Sequence, residues 1–269
     1  MSANFQSTFI QVKEKIYLSP NYVRIIFHCE DVHQFSQTTI GDNNKLFIPD
    51  ATQSQIELPQ FDFEQRKWRV EHPECMPHIR TYTHRAIDLL ENTLTIEFAM
   101  HGTDTLTCRW VDQAQVGDQI GITMGKQPRE LVPAALSHYL IITDPTGLAV
   151  TQAILESLDH HAKAYVIAET PSDADRIPLQ SKAELKTIWL NNDNPLQHSL
   201  LADCLTQHPE LIQLPAPRFA HITAELQAVR ACRNILRQHS DWSKQDCYAC
   251  AYWQIGKKDS ERLSKRVDD

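Results

Sequence analysis

A chain of 269 residues, 42% hydrophobic and 22% charged, is globular and long enough to bury two cores, so two domains are expected. A formal net charge of −8 argues against non-specific nucleic-acid binding, which needs basic surface to neutralise phosphates. No apolar run reaches the length of a membrane span, and the opening residues lack the basic start and apolar core of a secretory signal, so a cytoplasmic protein without membrane insertion is expected.

The first half carries short β-branched and aromatic runs at residues 9–18, 22–29, 45–49, 67–70, 80–86, 94–100 and 119–123. Short strands at such spacing, separated by turn residues, read as a sandwich or barrel. One run contains Arg80-Thr81-Tyr82-Thr83-His84-Arg85. Alternation along a strand sends Arg80 and Tyr82 to one face and Thr81 and Thr83 to the other. A guanidinium can pair with a pyrophosphate, a phenol ring can cover an isoalloxazine face, and a threonine hydroxyl can reach the flavin N5/O4 edge. An ordinary barrel strand with exposed polar residues is the alternative.

The next run leads into His101-Gly102-Thr103-Asp104-Thr105-Leu106-Thr107, which reads as a small-polar loop ahead of Cys108-Arg109-Trp110. Its free N–H groups and the hydroxyls of Thr105 and Thr107 can cradle a pyrophosphate, or the segment is a plain turn. Val116-Gly117-Asp118 turns the chain into the last run of this half. Residues 126–133, with two prolines and mixed charge, read as the connection between a domain over 1–130 and a second over 131–269.

The pattern then changes period. A continuous apolar strand at 138–143 is followed by Asp144-Pro145-Thr146-Gly147, where Asp144 can cap and Pro145 suits a first helical turn. Leu148, Thr151, Ile154, Leu155 and Leu158 then keep helical spacing. Further strands are expected at 164–168, 187–190 and 219–223, and a helix at 225–238. Strands alternating with helices imply a mainly parallel sheet covered on its faces. Arg230, Arg233 and Arg237 share one stripe of the helix, as a solvated face or as phosphate contacts. No G-x-G-x-x-G occurs, which disfavours an ordinary dehydrogenase but not a reductase whose nicotinamide domain uses strand ends and helix N-termini.

Cys247 and Cys250 have C-x-x-C spacing, but the run 246–253 reads as a strand, where an odd offset separates the sulfurs onto opposite faces; buried core cysteines are expected. Seven cysteines give no disulfide framework and fit a reducing compartment. Without H-E-x-x-H or zinc-finger spacing, no structural metal is expected.

Taken in order, Asn44-Lys45-Leu46-Phe47-Ile48-Pro49, the run from Arg80 to Arg85, and residues 101–110, 116–125, 139–155, 221–236 and 248–256 resemble the segments of siderophore-interacting proteins. These are FAD-dependent ferric-siderophore reductases of the ferredoxin–NADP reductase superfamily. The resemblance implies an N-terminal antiparallel flavin-binding β-barrel, then a parallel-sheet α/β nicotinamide-binding domain. It also implies FAD as cofactor, NADH or NADPH as electron donor, and a ferric siderophore as substrate. FAD contacts are implied for Arg80, Tyr82, Thr83, Arg85, His101, Gly102, Thr105 and Thr107. Trp253 resembles the family's aromatic near the flavin, with core packing as its alternative. Thr146, Gly147 and Glu225 fall in the nicotinamide segment, although Glu225 equally suits a helix dipole as a first-turn acid. Lys45 resembles a substrate-contacting lysine. The family's basic position after the terminal aromatic is Gln254 here, so Lys257 or Lys258 would substitute, unless that basic run is a solvated tail. The family also favours glycine, proline, a small residue and serine where this chain has Thr105 to Cys108. No protein nucleophile or base is required, so no catalytic residue is expected. The alternatives are a flavin reductase whose partner is a ferredoxin, and a siderophore carrier that performs no redox step.

Overall fold

The computed structural model describes residues 5–53, 55–102, 105–239 and 241–257, and it divides into two units, 1–18 with 22–129 and 19–21 with 130–269. The first unit is built from β1 (Phe5–Ser19), β2 (Tyr22–His28), β3 (Asn43–Ile48), β4 (Gln60–Asp62), β5 (Lys67–Arg69), β6 (His78–Asp88), β7 (Thr93–Ala99), helix α1 (Leu106–Gln113) and β8 (Gln119–Gly125). Six of these strands close into a barrel in the order β1-β2-β7-β6-β3-β8, through antiparallel ladders. Closure leaves the barrel no unpaired edge.

Alternation fills the barrel. Val23, Ile25 and Phe27 of β2, Leu46 and Ile48 of β3, Leu94, Ile96 and Phe98 of β7, and Ile120, Ile122 and Met124 of β8 all point inward, each at most 1% exposed. On the outer face Phe47 meets Trp68 of the β4–β5 hairpin edge to face, with ring centroids 5.5 Å apart. Gly121 lies under this cover: a Cβ there would sit 2.7 Å from Leu58. β4 is too short for its alternation to register in sequence.

The stretch after β7 differs from the expected loop. Thr105 caps a helix, its hydroxyl accepting the Cys108 N–H at 3.4 Å, so Thr107 to Trp110 are helical. Val111 is buried in the barrel core, and the Trp110 ring stacks 6.4 Å from that of Phe27.

The second unit holds β9 (His138–Thr143), α2 (Leu148–Ser157), β10 (Lys163–Thr170), β11 (Glu184–Asn191), α3 (Leu201–Gln207), α4 (Pro209–Ile212), β12 (Arg218–Glu225), α5 (Leu226–Gln238) and β13 (Cys247–Trp253). Its five strands are parallel and lie in the order β11-β10-β9-β12-β13. Burial on both faces explains the continuous apolar runs of β9 and β10, whereas β12 is buried along its whole length although it carries Arg218, His221, Thr223 and Glu225. α3 and α4 escape the periodicity because each is too short to show a repeat; Leu201, Leu205, Leu211 and Ile212 nonetheless join the core.

Two expectations need correction. Arg233 is only 6% exposed while Arg230 is exposed, so the arginine stripe of α5 is not one solvated face. Cys247 is buried, but Cys250, on the opposite face of β13, is half-buried; neither is in a disulfide. Among the described residues, no helix is long and apolar enough to cross a membrane.

Candidate functional site

The barrel ladders fix which groups share a face. Arg80 lies opposite Leu46 and Tyr82 opposite Asn44, while Thr81 lies opposite Lys45 and Thr83 opposite Asn43. Residues directly opposite each other share a face, so Arg80 and Tyr82 belong to the side of the sheet that carries the barrel core. The Tyr82 ring lies 4.8 Å from that of Phe98 on β7. Arg80, two residues earlier, sits toward the end at which β7 gives way to His101 and Gly102. Its Nη1 donates to the Ile79 carbonyl at 2.9 Å.

A register shift between His84 and Ala86 leaves Arg85 without a partner position in the ladder to β7. Arg85 there approaches Glu97, Nε to Oε1 at 3.9 Å. The Glu97 carboxylate is buried and also accepts Arg24 Nε at 2.9 Å and the Tyr22 hydroxyl at 3.0 Å. Burial, reinforced by Glu97, holds the Tyr22 hydroxyl well above its ordinary pKa, so it stays a donor. His84 is fully buried with Nε2 2.8 Å from the Thr39 carbonyl, and burial lowers its pKa to about 4, leaving it neutral. Thr83 is buried beside it.

Gly102 adopts φ +87°, a left-handed conformation that glycine adopts without strain. A Cβ there would meet nothing within 4 Å, so the reason for glycine is backbone conformation and not space. Thr103 and Asp104 lie outside the described residues. The first turn of α1 presents backbone N–H groups that have no intrahelical acceptor, Thr107 is buried, and the Cys108 thiol lies 3.8 Å from His101 Nε2. Burial pushes that thiol up, but hydrogen bonding to His101 and Thr105 outweighs it and leaves the pKa below its ordinary value. A helix N-terminus, a guanidinium at the same end of the strands and an aromatic ring beside it form a donor set that suits a dinucleotide carrying a diphosphate and a planar ring. The residues present fit FAD.

Lys45 is on the other face. Its Nζ donates to Thr81 Oγ1 at 2.5 Å, within a row of Lys45, Thr81 and Thr123 across β3, β6 and β8.

In the second unit the carboxyl ends of β9, β12 and β13 meet at Asp144. This side chain, 3% exposed, accepts the Thr146 N–H at 2.9 Å and hydroxyl at 2.5 Å on Oδ1. On Oδ2 it accepts the Glu225 N–H at 2.9 Å and Trp253 Nε1 at 2.6 Å. Burial nevertheless raises its pKa to about 6, against those hydrogen bonds. Gly147 closes the turn against the sheet: a Cβ there would lie 2.4 Å from the hydroxyls of both Thr143 and Thr223. Gly147 therefore permits a close approach of turn to strand, the task of a glycine in dinucleotide-binding turns.

Glu225 precedes the helix and caps it, accepting the N–H groups of Gln227 and Ala228, the latter at 3.3 Å. Its other oxygen accepts the Ile255 N–H at 3.2 Å. Trp253 is half-buried and held by Asp144, so its orientation is fixed by a hydrogen bond in addition to packing. Lys257 is exposed, and Lys258 lies outside the described residues. Asp144 is the residue that sequence reasoning undervalued. It was legible as a cap before Pro145, but its bonds to Glu225 and Trp253 span 81 and 109 positions.

Comparison with known proteins agrees with this architecture. The family model for a siderophore-interacting FAD-binding domain matches residues 11–129, and that for siderophore-interacting protein matches residues 136–256. Ferric vibriobactin reductase ViuB of Vibrio cholerae is 30% identical over 257 residues, covering 94% of this chain and 91% of that protein. A siderophore utilization protein from T. fusca superposes with a TM-score of 0.79 at 22% identity, over 94% of this chain and 95% of the other. Ferredoxin-NADP+ reductase from Plasmodium falciparum shares the fold, with a TM-score of 0.62 at 12% identity over 90% and 94% of the two chains. With both halves matched in order and a relative aligned along nearly its whole length, the chain belongs to the siderophore-interacting protein family, with an FAD-binding barrel as its first half.

Proposed function

We propose that this protein is a cytoplasmic ferric-siderophore reductase that takes electrons from NADH or NADPH through FAD and delivers them to siderophore-bound Fe(III), releasing Fe(II). The observation that carries the reading is the joint presence, on a chain aligned over 94% of its length with a ferric vibriobactin reductase, of the Arg80–Tyr82 strand and the α1 N-terminus. When bound, the flavin supplies the change from a two-electron donor to a one-electron acceptor. In this reading Arg80 and the α1 N–H groups hold the diphosphate, with His101, Gly102, Thr105 and Thr107 shaping the turn around it. Tyr82 supports the ring system, Thr83 addresses its polar edge, and Arg85 adds positive charge from the barrel wall.

Fe(III) is held by hard oxygen donors far more tightly than Fe(II), so one electron suffices to loosen the complex and no protein base is needed. Lys45 in the first unit is the candidate for positive charge toward an anionic complex on a chain of net charge −8, and Lys257 and Lys258 are the basic candidates in the second. Seven cysteines without a disulfide among them support a reducing compartment.

The test is spectroscopic. The purified protein should show a flavin absorption band that NADH or NADPH bleaches. A ferric siderophore should then restore it while a ferrous-specific chelator reports Fe(II). Flavin without bleaching by either nucleotide would favour a ferredoxin as donor, and siderophore binding without flavin would favour a carrier.

A further inference from the structure

The parallel sheet reverses strand order between β9 and β12, and in open α/β sheets ligands bind outside the carboxyl ends of the strands at such a point. A second observation marks this place. The Thr223 hydroxyl, 0% exposed, has no hydrogen-bond partner and abuts the Gly147 turn. In such sheets the pyrophosphate takes the turn after the first strand. An acidic residue about 20 residues further, at the end of the second strand, takes the adenosine ribose hydroxyls, whereas a nearby arginine accommodates a 2′-phosphate.

The second strand is β10, and the chain leaving it is rich in carboxylates. Glu169, 3% exposed, accepts Asn192 Nδ2 at 2.7 Å, the Leu200 N–H at 2.8 Å and the Ser199 hydroxyl at 3.0 Å. Asp175, also 3% exposed, takes the Ser172 hydroxyl at 2.7 Å. Asp173 is the exposed one, with 72% of its side chain open to solvent. The single cation of the segment 169–176 is Arg176, and its guanidinium is spoken for: it ion-pairs with Asp173 and donates to Asn191 Oδ1 at 3.1 Å. Asn191 Nδ2 closes the triangle on Asp173 Oδ1 at 2.6 Å.

We infer that the donor is NADH and not NADPH, because the segment leaving β10 presents one exposed carboxylate, Asp173, as acceptor for a ribose 2′-hydroxyl and holds its one arginine in an ion pair with that carboxylate, away from a 2′-phosphate. This rests on the reading that a nicotinamide dinucleotide binds the second unit. A dianionic phosphate brought beside Asp173 meets repulsion, and it must first break the Asp173–Arg176 pair to gain a cation.

Two measurements test it on the oxidised flavoprotein. Isothermal titration compares ADP-ribose with its 2′-phosphate, and stopped flow compares flavin bleaching by NADH and NADPH. ADP-ribose should bind more tightly and NADH should show the higher kcat/KM, by roughly tenfold or more for a repulsive discrimination of this kind. Asp173→Ala should release Arg176 and raise affinity for the 2′-phosphate, and Arg176→Ala on top of it should cancel that gain. Equal or better use of the 2′-phosphorylated forms by the wild type would overturn the inference, as would an unchanged 2′-phosphate affinity in Asp173→Ala. If neither nucleotide binds or bleaches while dithionite does, the nicotinamide reading itself falls and takes the inference with it.

Discussion

Trp253 donates its indole N–H to Asp144 at 2.6 Å, so the last strand of the sheet is pinned to the end of its first. The bond is made by a carboxylate that burial holds at a pKa of about 6, and this gives it a pH signature.

A carboxyl whose folded pKa lies above its unfolded value binds more protons when folded. Its stabilising contribution therefore grows as pH falls from above 6 towards 4, and is lost as pH rises through 6. Against Asp144→Asn, which does not titrate, the wild type should gain about 1 kcal/mol on going from pH 7 to pH 5. Urea denaturation of both proteins at the two pH values measures the difference. A constant difference would show that Asp144 titrates normally.

Arg80→Ala should weaken FAD binding by roughly ten- to a hundredfold, the loss of a charge-assisted hydrogen bond. Tyr82→Phe should retain the flavin, because the ring and its contact with Phe98 survive. Equilibrium dialysis with FAD reports both, and undiminished affinity in Arg80→Ala would remove that residue from the site.

Gly147→Ala places a methyl group 2.4 Å from two threonine hydroxyls, one of them the buried Thr223. Overpacking of this kind should destabilise the protein by about 1–3 kcal/mol. Thr223→Ala in the same chain should recover part of that loss, since it removes one of the clashing atoms. Thermal melts of the single and double variants give the answer, and additive losses would contradict the contact.

Lys45→Glu should raise the apparent KM for an anionic catecholate complex of Fe(III) more than for a neutral hydroxamate complex. The effect on the anionic complex should shrink with salt, because exposed charges more than about 10 Å apart are largely screened at 0.1 M. Steady-state kinetics with both complexes at two ionic strengths would decide it; identical shifts for both would reject an electrostatic role.

Much of the fold was legible because alternation and burial coincide: the inward residues of β2, β3, β7 and β8 are the apolar ones, and β9 carries the continuous apolar run Tyr139 to Ile142 of a strand covered on both faces. The faces of Arg80, Tyr82, Thr81 and Thr83 also followed from alternation alone. α1 was not legible. Its cap, Thr105, is equally a loop residue, and its short apolar stripe lies against a barrel assembled from distant strands. Arg233 looked solvent-facing because its neighbours at helical spacing are arginines, and only the packing of α5 buries it. Asp144 and Glu225 were each readable as local caps. Their second role, joining strand ends far apart in the chain, has no local signal.

Glu225 spends one oxygen on the start of α5 and the other on the Ile255 N–H. The residues just past β13 are thereby part of the folded body, since removing them would strand half of a buried carboxylate. Purification tags, fluorophores or a tethered electron donor should accordingly be added without trimming the chain back to this anchor, beyond which Gly256 turns the backbone in a left-handed conformation.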